Sequence, residues 1–187
     1  FLVSGGGWIA RHYRDAGKSI LCHELTVDDL DWLGIHATRL NGHLLRTIFR
    51  DIAHPYLIKN YDIIRKVKEP VAIAAGWKPG WSTDYDAVLL CEDYDVKTVI
   101  NLSNVDYIYD KDPRNYPDAK PYKKISWKEL KKLVGDKWIP GMHMPFDPVA
   151  SKRAEELGIN VSILKGGDWK NLEQYLNGKK FVGTMIG

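Results

Sequence analysis

The chain has 187 residues, of which 44% are apolar and 27% charged. That ordinary globular balance excludes a disordered segment, a coiled coil or a disulfide-dependent miniprotein. The net charge of +3 arises from 27 Lys+Arg against 24 Asp+Glu, too mild for an electrostatic footprint on nucleic acid, and no apolar run approaches the roughly 20 residues needed to cross a bilayer. Neither nucleic acid nor a membrane is therefore expected as a partner. The one dense basic stretch, Lys120 to Lys132, alternates with Pro121, Tyr122, Ile125 and Leu130 and reads as the solvated face of a loop and helix. Cys22 and Cys91 lie far apart and form no CxxC pair, which suits reduced thiols in a cytoplasmic protein.

Apolar strand-like runs alternate with helical patterns along the chain. Phe1 to Val3 reads as the end of a buried strand, so the sequence reads as opening inside a fold. Gly5-Gly6-Gly7 follows, then a helix over Trp8 to Ala16. Thr26 is a good N-cap with Asp28 and Asp29 in the first turn, where the helix dipole favours negative charge. Leu30, Leu33, Ala37, Leu40, Leu44 and Ile48 then recur at helical spacing, predicting one long amphipathic helix to about Arg50. Val71 to Ala75 predicts a buried strand, Ser82 to Tyr94 a helix with Ala87, Val88, Leu90 and Cys91 inward, and Val96 to Leu102 a further strand.

Asp110 to Pro121, with its prolines and charges, reads as a long loop. Ser126 caps a short helix over Trp127 to Val134. Asp147 at the N-cap and Pro148 at the first helical position start another, which stops at Gly158. A strand over Asn160 to Leu164, a helix from Asp168 to Asn177 and a strand over Val182 to Ile186 complete the order. No repeat or linker interrupts it. The alternation predicts a single α/β domain over residues 1–187, built on a mostly parallel sheet.

In such sheets ligands bind beyond the carboxyl ends of the strands. Gly5-Gly6-Gly7 lies between a strand and a helix, where bare backbone N–H groups can cradle an anion, and Arg11 one turn on can return a guanidinium to it; the plainer reading is a turn with a surface Arg. The second strand runs into Gly76-Trp77-Lys78-Pro79-Gly80-Trp81-Ser82-Thr83-Asp84, a loop of glycines, flat aromatics, two hydroxyls and a carboxylate. Ser82 or Thr83 can equally be a helix cap, and the tryptophans can stack on a ligand or pack a subunit contact. The third strand runs into Asn101 to Asp106 and then Tyr107 to Pro113, whose polar, aromatic and acidic residues suit a base, a ribose and Mg²⁺-phosphate, or simply an Asx-rich turn. His36 and His43 lie seven apart without HExxH or a third ligand, so no metal site is expected from the histidines. Neither GxSxG nor the Walker A pattern occurs.

These residues resemble the amino acid kinase family, and within it the archaeal-type UMP kinases. Five blocks carry the resemblance in order: Val3 to Gly7 through Arg11, Asp31 to Asn41, Pro79 to Asp84, Asn104 to Pro113, and Phe146 to Lys152. The resemblance implies the amino acid kinase fold, a three-layer α/β/α sandwich with a mostly parallel central sheet, entered here after its N-terminal strand and helix. It implies transfer of the ATP γ-phosphoryl group to UMP, with Mg²⁺ carried as MgATP. By the same resemblance Gly6, Asp31, Gly76, Trp77, Lys78, Pro79, Gly80, Trp81, Ser82 and Thr83 contact UMP. Gly7, Arg11, Ser103, Asn104, Tyr109 and Asp112 contact ATP or the transferred group, and Arg11 and Asp84 are catalytic.

The family's opening strand carries a phosphate-gripping Lys that has no counterpart after Phe1, so the 187 residues by themselves are expected to be catalytically weak. Tyr107 stands where the family has Gly, and Trp77 and Trp81 are bulkier than the family's residues beside the acceptor. The resemblance further implies a homohexamer built from dimers, with the long helix as a candidate dimer surface whose polar side includes His36, Arg39, His43 and Arg46. Another phosphoryl acceptor, or a non-catalytic nucleotide-binding subunit, are the alternatives.

Overall fold

The computed structural model describes residues 1–21, 24–134 and 145–187. Cys22, one of the two expected thiols, lies outside them. In chain order the elements are β1 (Leu2–Ser4), α1 (Gly7–Leu21), α2 (Val27–Ile48), β2 (Ile73–Ala75), α3 (Thr83–Asp93), β3 (Thr98–Ser103), β4 (Ile108–Tyr109), β5 (Pro121–Tyr122), β6 (Lys124–Ile125), α4 (Trp127–Val134), α5 (Pro148–Glu156), β7 (Asn160–Lys165), α6 (Trp169–Leu176) and β8 (Thr184–Ile186). They fall into two compact units, Phe1–Asp93 and Tyr94–Gly187.

In the first unit β1 and β2 pair in parallel, Leu2 with Ile73 and Ser4 with Ala75. Parallel bridges from Ala53 to Val71 and from Ile58 to Ala74 bring the 53–58 segment onto the other edge of β2. All three residues of β2 are fully buried, as a continuous apolar run bounded by Gly76 requires. Leu57, Ile73 and Ala75 form a core cluster with Leu45, Phe49 and Val71 against it.

Helix α2 begins as its sequence demands and then departs from it. The Thr26 side chain accepts from the Asp29 N–H while the Asp29 carboxylate takes the Thr26 N–H, a reciprocal capping box. The predicted stripe holds only in its first half, where Ala37 is buried and Leu30 and Leu33 are half-buried. Leu40, Leu44 and Ile48 are each about 60% exposed, whereas Ile35, Ala37, Thr38 and Gly42 are buried. Small residues win because the helix backbone lies close to the strands: a Cβ on Gly42 would come within 2.7 Å of Leu57 Cδ1 and 3.0 Å of Ser4 Oγ. At Gly17 the same economy holds between α1 and α2, where a Cβ would lie 3.1 Å from Leu33 Cδ1.

In the second unit the strand order is β3-β7-β8-β6. β3 and β7 run parallel from the Thr98–Asn160 pair to the Ser103–Lys165 pair, β6 is parallel to β8, and β7 is antiparallel to β8. The α/β class and the parallel majority match the sequence reading. The ends of the expected Asp110 to Pro121 loop are instead clamped by the antiparallel pair β4 and β5, two-residue strands too short to show a periodicity. Ile125, Leu130, Phe146, Ile159, Val161, Ile163, Leu164 and Ile186 are almost wholly buried. Lys123, Lys124 and Lys128 are exposed, as expected of a solvated basic face.

The caps fall where the sequence put them. The Asp147 carboxylate accepts from the N–H groups of Val149 at 2.6 Å and Ala150 at 3.0 Å, with Pro148 opening α5. Gly158, at φ +63°, lets the chain leave that helix in the left-handed region. Asn171 brackets Val182, donating to its carbonyl and accepting its N–H at 2.7 Å each. Replacing Asp147 with Ala strands two N–H groups at a buried helix start. We expect a loss of about 1–2 kcal/mol, read as a fall of a few degrees in Tm by calorimetry, roughly 2–4 °C per kcal/mol for a chain of this size.

Candidate functional site

The glycine turn follows β1 directly. Gly6 has no room for a side chain, since a Cβ there would collide with that of Ala10, and Gly7 opens α1 at φ +56°. Asn41 on α2 fixes the turn from the side, its Nδ2 donating to the carbonyls of Gly5 at 2.8 Å and Gly6 at 3.3 Å. Ser4 Oγ donates to the Thr38 carbonyl at 2.8 Å and to that of Ala74 at 3.2 Å. With its carbonyls held, the turn is a fixed corner at the N-terminus of α1, a setting that favours an anion. Arg11 is exposed one turn into that helix.

The loop after β2 is held from two helices. Gly76 donates its N–H to Thr38 Oγ1 at 2.8 Å, and that hydroxyl donates onward to the Ile35 carbonyl at 2.7 Å. Arg39 Nε donates to the Gly76 carbonyl at 3.1 Å and its Nη2 to the Trp77 carbonyl at 2.7 Å. The Trp77 N–H goes to Asp86 Oδ2 on α3 at 3.2 Å. Further along, Gly80 at φ +83° donates its N–H to Asp31 Oδ2 on α2 at 2.9 Å. Asp31 thus meets the loop with one oxygen engaged.

Above this frame runs a ladder of rings: Tyr61 to Trp77 at 5.6 Å, Trp77 to Trp81 at 5.8 Å and Trp81 to Tyr85 at 4.3 Å between centroids. Lys78 Nζ lies 3.9 Å from the Trp77 ring centroid and 5.4 Å from that of Trp81, so the loop's cation and its aromatics form one surface. Ser82 is the helix cap, its Oγ accepting the Tyr85 N–H at 3.1 Å. Thr83 opens α3, with Oγ1 4.0 Å from where a Cβ of Gly5 would sit, which places this hydroxyl beside the glycine turn. Asp84 stands in the first turn of α3.

Asp86 is fully buried, and among the described residues its Oδ1 has no hydrogen-bond partner. Burial pushes its carboxyl up to about 8, partly offset by the Trp77 N–H and the Arg39 charge, while Asp84 pushes the same way as burial. Arg39 is itself moved down by burial, and Tyr61, whose hydroxyl donates to the Ala75 carbonyl at 3.0 Å, is moved up by burial. Asp86, Arg39, Thr38, Asn41, Tyr61 and Tyr85 were not singled out as site residues from the sequence. Asp86 carried a signal: it lies four residues before inward-facing Leu90, on the same helical face.

The remaining expected residues belong to the second unit. Ser103 ends β3, its carbonyl taking the Gly166 N–H at 2.6 Å, and Asn104 is exposed. Tyr109 lies in β4, its ring edge-on to Tyr107 at 6.2 Å. Asp112 makes an Asx turn, accepting the Arg114 N–H at 2.9 Å and the Arg114 guanidinium at 2.9 and 3.0 Å. Those bonds hold its carboxyl below the usual range. Among the described residues no group of three or more His, Cys, Asp or Glu could hold a metal ion.

The model of the amino acid kinase family matches residues 1–165. The chain belongs to the amino acid kinase family. Among curated amino acid kinase family relatives, a uridylate kinase of Methanothermobacter thermautotrophicus is 35% identical over all of this chain and 82% of its own length. One of Staphylothermus marinus is 34% identical over 99% of this chain and 82% of its own. The crystal structure of uridylate kinase from Archaeoglobus fulgidus superposes with a TM-score of 0.83 at 29% identity, covering 99% of this chain and 83% of that one.

The two oxygens of Asp86 make a pH test of this geometry. A carboxyl raised by folding binds its proton in the native state and releases it when unfolded, so its contribution to stability is greatest at low pH. Native stability should fall as pH rises from about 4 towards 8. Asp86→Asn, which keeps the shape without the ionisation, should flatten that decline and exceed the parent in stability near pH 8 in urea unfolding. Parallel pH profiles for the two proteins would contradict it.

Proposed function

We propose that the protein carrying this chain transfers the γ-phosphoryl group of ATP to UMP, giving UDP and ADP. The observation that carries this reading is the meeting, in one unit, of the glycine turn, Thr83 and the doubly anchored 76–80 loop, in a chain 30–35% identical to curated uridylate kinases. Phosphoryl transfer requires alignment and charge neutralisation more than a nucleophilic side chain. A glycine turn at a helix N-terminus and the exposed Arg11 guanidinium suit it.

In this reading Gly6, Asp31 and residues 76–83 hold UMP: Lys78 faces its phosphate, the Trp77 and Trp81 rings face its base, and Asp31 uses its second oxygen for the ribose. Gly7 and Arg11 neutralise the transferred group, and Asp84 orients the reacting partners. Ser103, Asn104, Tyr109 and Asp112 receive ATP, with Mg²⁺ arriving on its phosphates. A UMP phosphate oxygen attacks Pγ, the bond from Pγ to the β,γ-bridging oxygen breaks, and ADP leaves with that electron pair. The 187 residues act as one amino acid kinase domain in a cytoplasmic enzyme of pyrimidine nucleotide synthesis. Exposed Leu40, Leu44 and Ile48 on α2 support a dimer surface within a homohexamer.

An ADP-release assay should give turnover with UMP well above that with CMP, acetylglutamate or isopentenyl phosphate, and equal rates would end the proposal. In the same assay Arg11→Ala should lower kcat on the order of 100-fold, the scale of removing one charged donor from a transition state, while leaving Tm unchanged because Arg11 is exposed.

A further inference from the structure

Burying a carboxyl beneath a backbone loop, with one oxygen unpartnered, is unfavourable unless the other oxygen does something the fold needs. Asp86 is such a group. Its fully buried side chain reaches the loop by accepting the Trp77 N–H at Oδ2, at 3.2 Å. That N–H belongs to the residue whose carbonyl Arg39 holds at 2.7 Å. The Trp77 backbone is therefore gripped on both its N–H and its C=O, from α3 and from α2. Removing either grip leaves a half-buried polar group without that partner.

From this geometry we propose that Asp86 is a positioning residue for the phosphoryl acceptor: through the Trp77 amide it holds residues 76–80 in the conformation that presents Lys78 and the Trp77–Trp81 ring pair. The inference rests on reading residues 76–83 as the acceptor loop. Asp86 faces Arg39 from α2, Tyr61 from the segment before β2, and Asp84 from its own helix. Arg39 offers only donors and cannot take its place on the Trp77 N–H, and Asp84, two residues earlier on α3, points from a different face of that helix. An Asn at 86 still offers a carbonyl oxygen to the Trp77 N–H and places an amide where Oδ1 has no partner among the described residues. An Ala offers nothing.

The experiment compares the parent protein, Asp86→Asn and Asp86→Ala by amide hydrogen exchange of peptides spanning residues 76–82 and by steady-state kinetics with UMP. Asp86→Ala should raise loop exchange at least 10-fold over the peptides of β1 and β2, and raise the KM for UMP about 10-fold with kcat changed less than 3-fold. Asp86→Asn should restore both. Unchanged loop exchange in Asp86→Ala, or equal acceleration throughout the first unit with no rescue by Asn, would overturn the proposal. Should Asp86→Ala fail to fold, Asp86→Ser and Asp86→Asn carry the comparison: Ser is too short to reach the amide and should behave as Ala does. Exchange is read without substrate, so a parent protein inactive on UMP would overturn the functional reading while the loop data still decide the role of Asp86.

Discussion

The peptide of Gly76 is held on both edges by consecutive residues of one helix: its N–H by the Thr38 hydroxyl and its carbonyl by the Arg39 guanidinium. The rest of the first unit's site depends on that grip. A Cβ at Gly76 would lie 2.9 Å from Thr38 Oγ1, so the close approach exists only because the residue has no side chain. Asn41, one turn along the same helix face, fixes the glycine turn. Helix α2 is thus a ruler that sets two backbone corners against each other. Each hydrogen bond is worth only about 1 kcal/mol net, but leaving a buried N–H or carbonyl without its partner costs about 1–3 kcal/mol. The corners are held mainly by the penalty for letting go.

That role explains why α2 presents its small and polar residues inward. A helix that seated Leu40 and Leu44 against the strands would stand further from them, beyond the reach of the Thr38 hydroxyl and the Asn41 amide. The apolar stripe is displaced to the outside, where Leu40, Leu44 and Ile48 remain exposed. Close backbone approach has been favoured over burial of large side chains.

Much of the fold was legible before any coordinates. The Thr26, Ser126, Asp147 and Asp168 starts are local chemistry between a side chain and N–H groups two or three residues on, and the Gly158 stop is a local backbone requirement. The buried face of α2 was legible only in its first half, because the rest is decided by what the helix packs on, and periodicity pointed to the Leu stripe. The short β4–β5 and β6 pairings were likewise settled by partners distant in sequence. At the site, the glycine turn and the 76–84 loop stood out by composition. Their supports did not. Arg39 read as part of a polar surface and Asp86 passed unremarked, since their importance lies in reaching across to a loop nearly 40 residues away in one case and folding back under it in the other.

Under the proposed function, α2 builds the acceptor half of the site by holding the loop after β2. Arg39→Met removes the donors to the Gly76 and Trp77 carbonyls while keeping a long side chain. Titration calorimetry with UMP and, separately, with ATP tests the claim most directly. UMP binding should weaken at least 10-fold, with ATP binding changed less than 2-fold. Equal weakening of both nucleotides, or UMP binding as tight as in the parent, would contradict it.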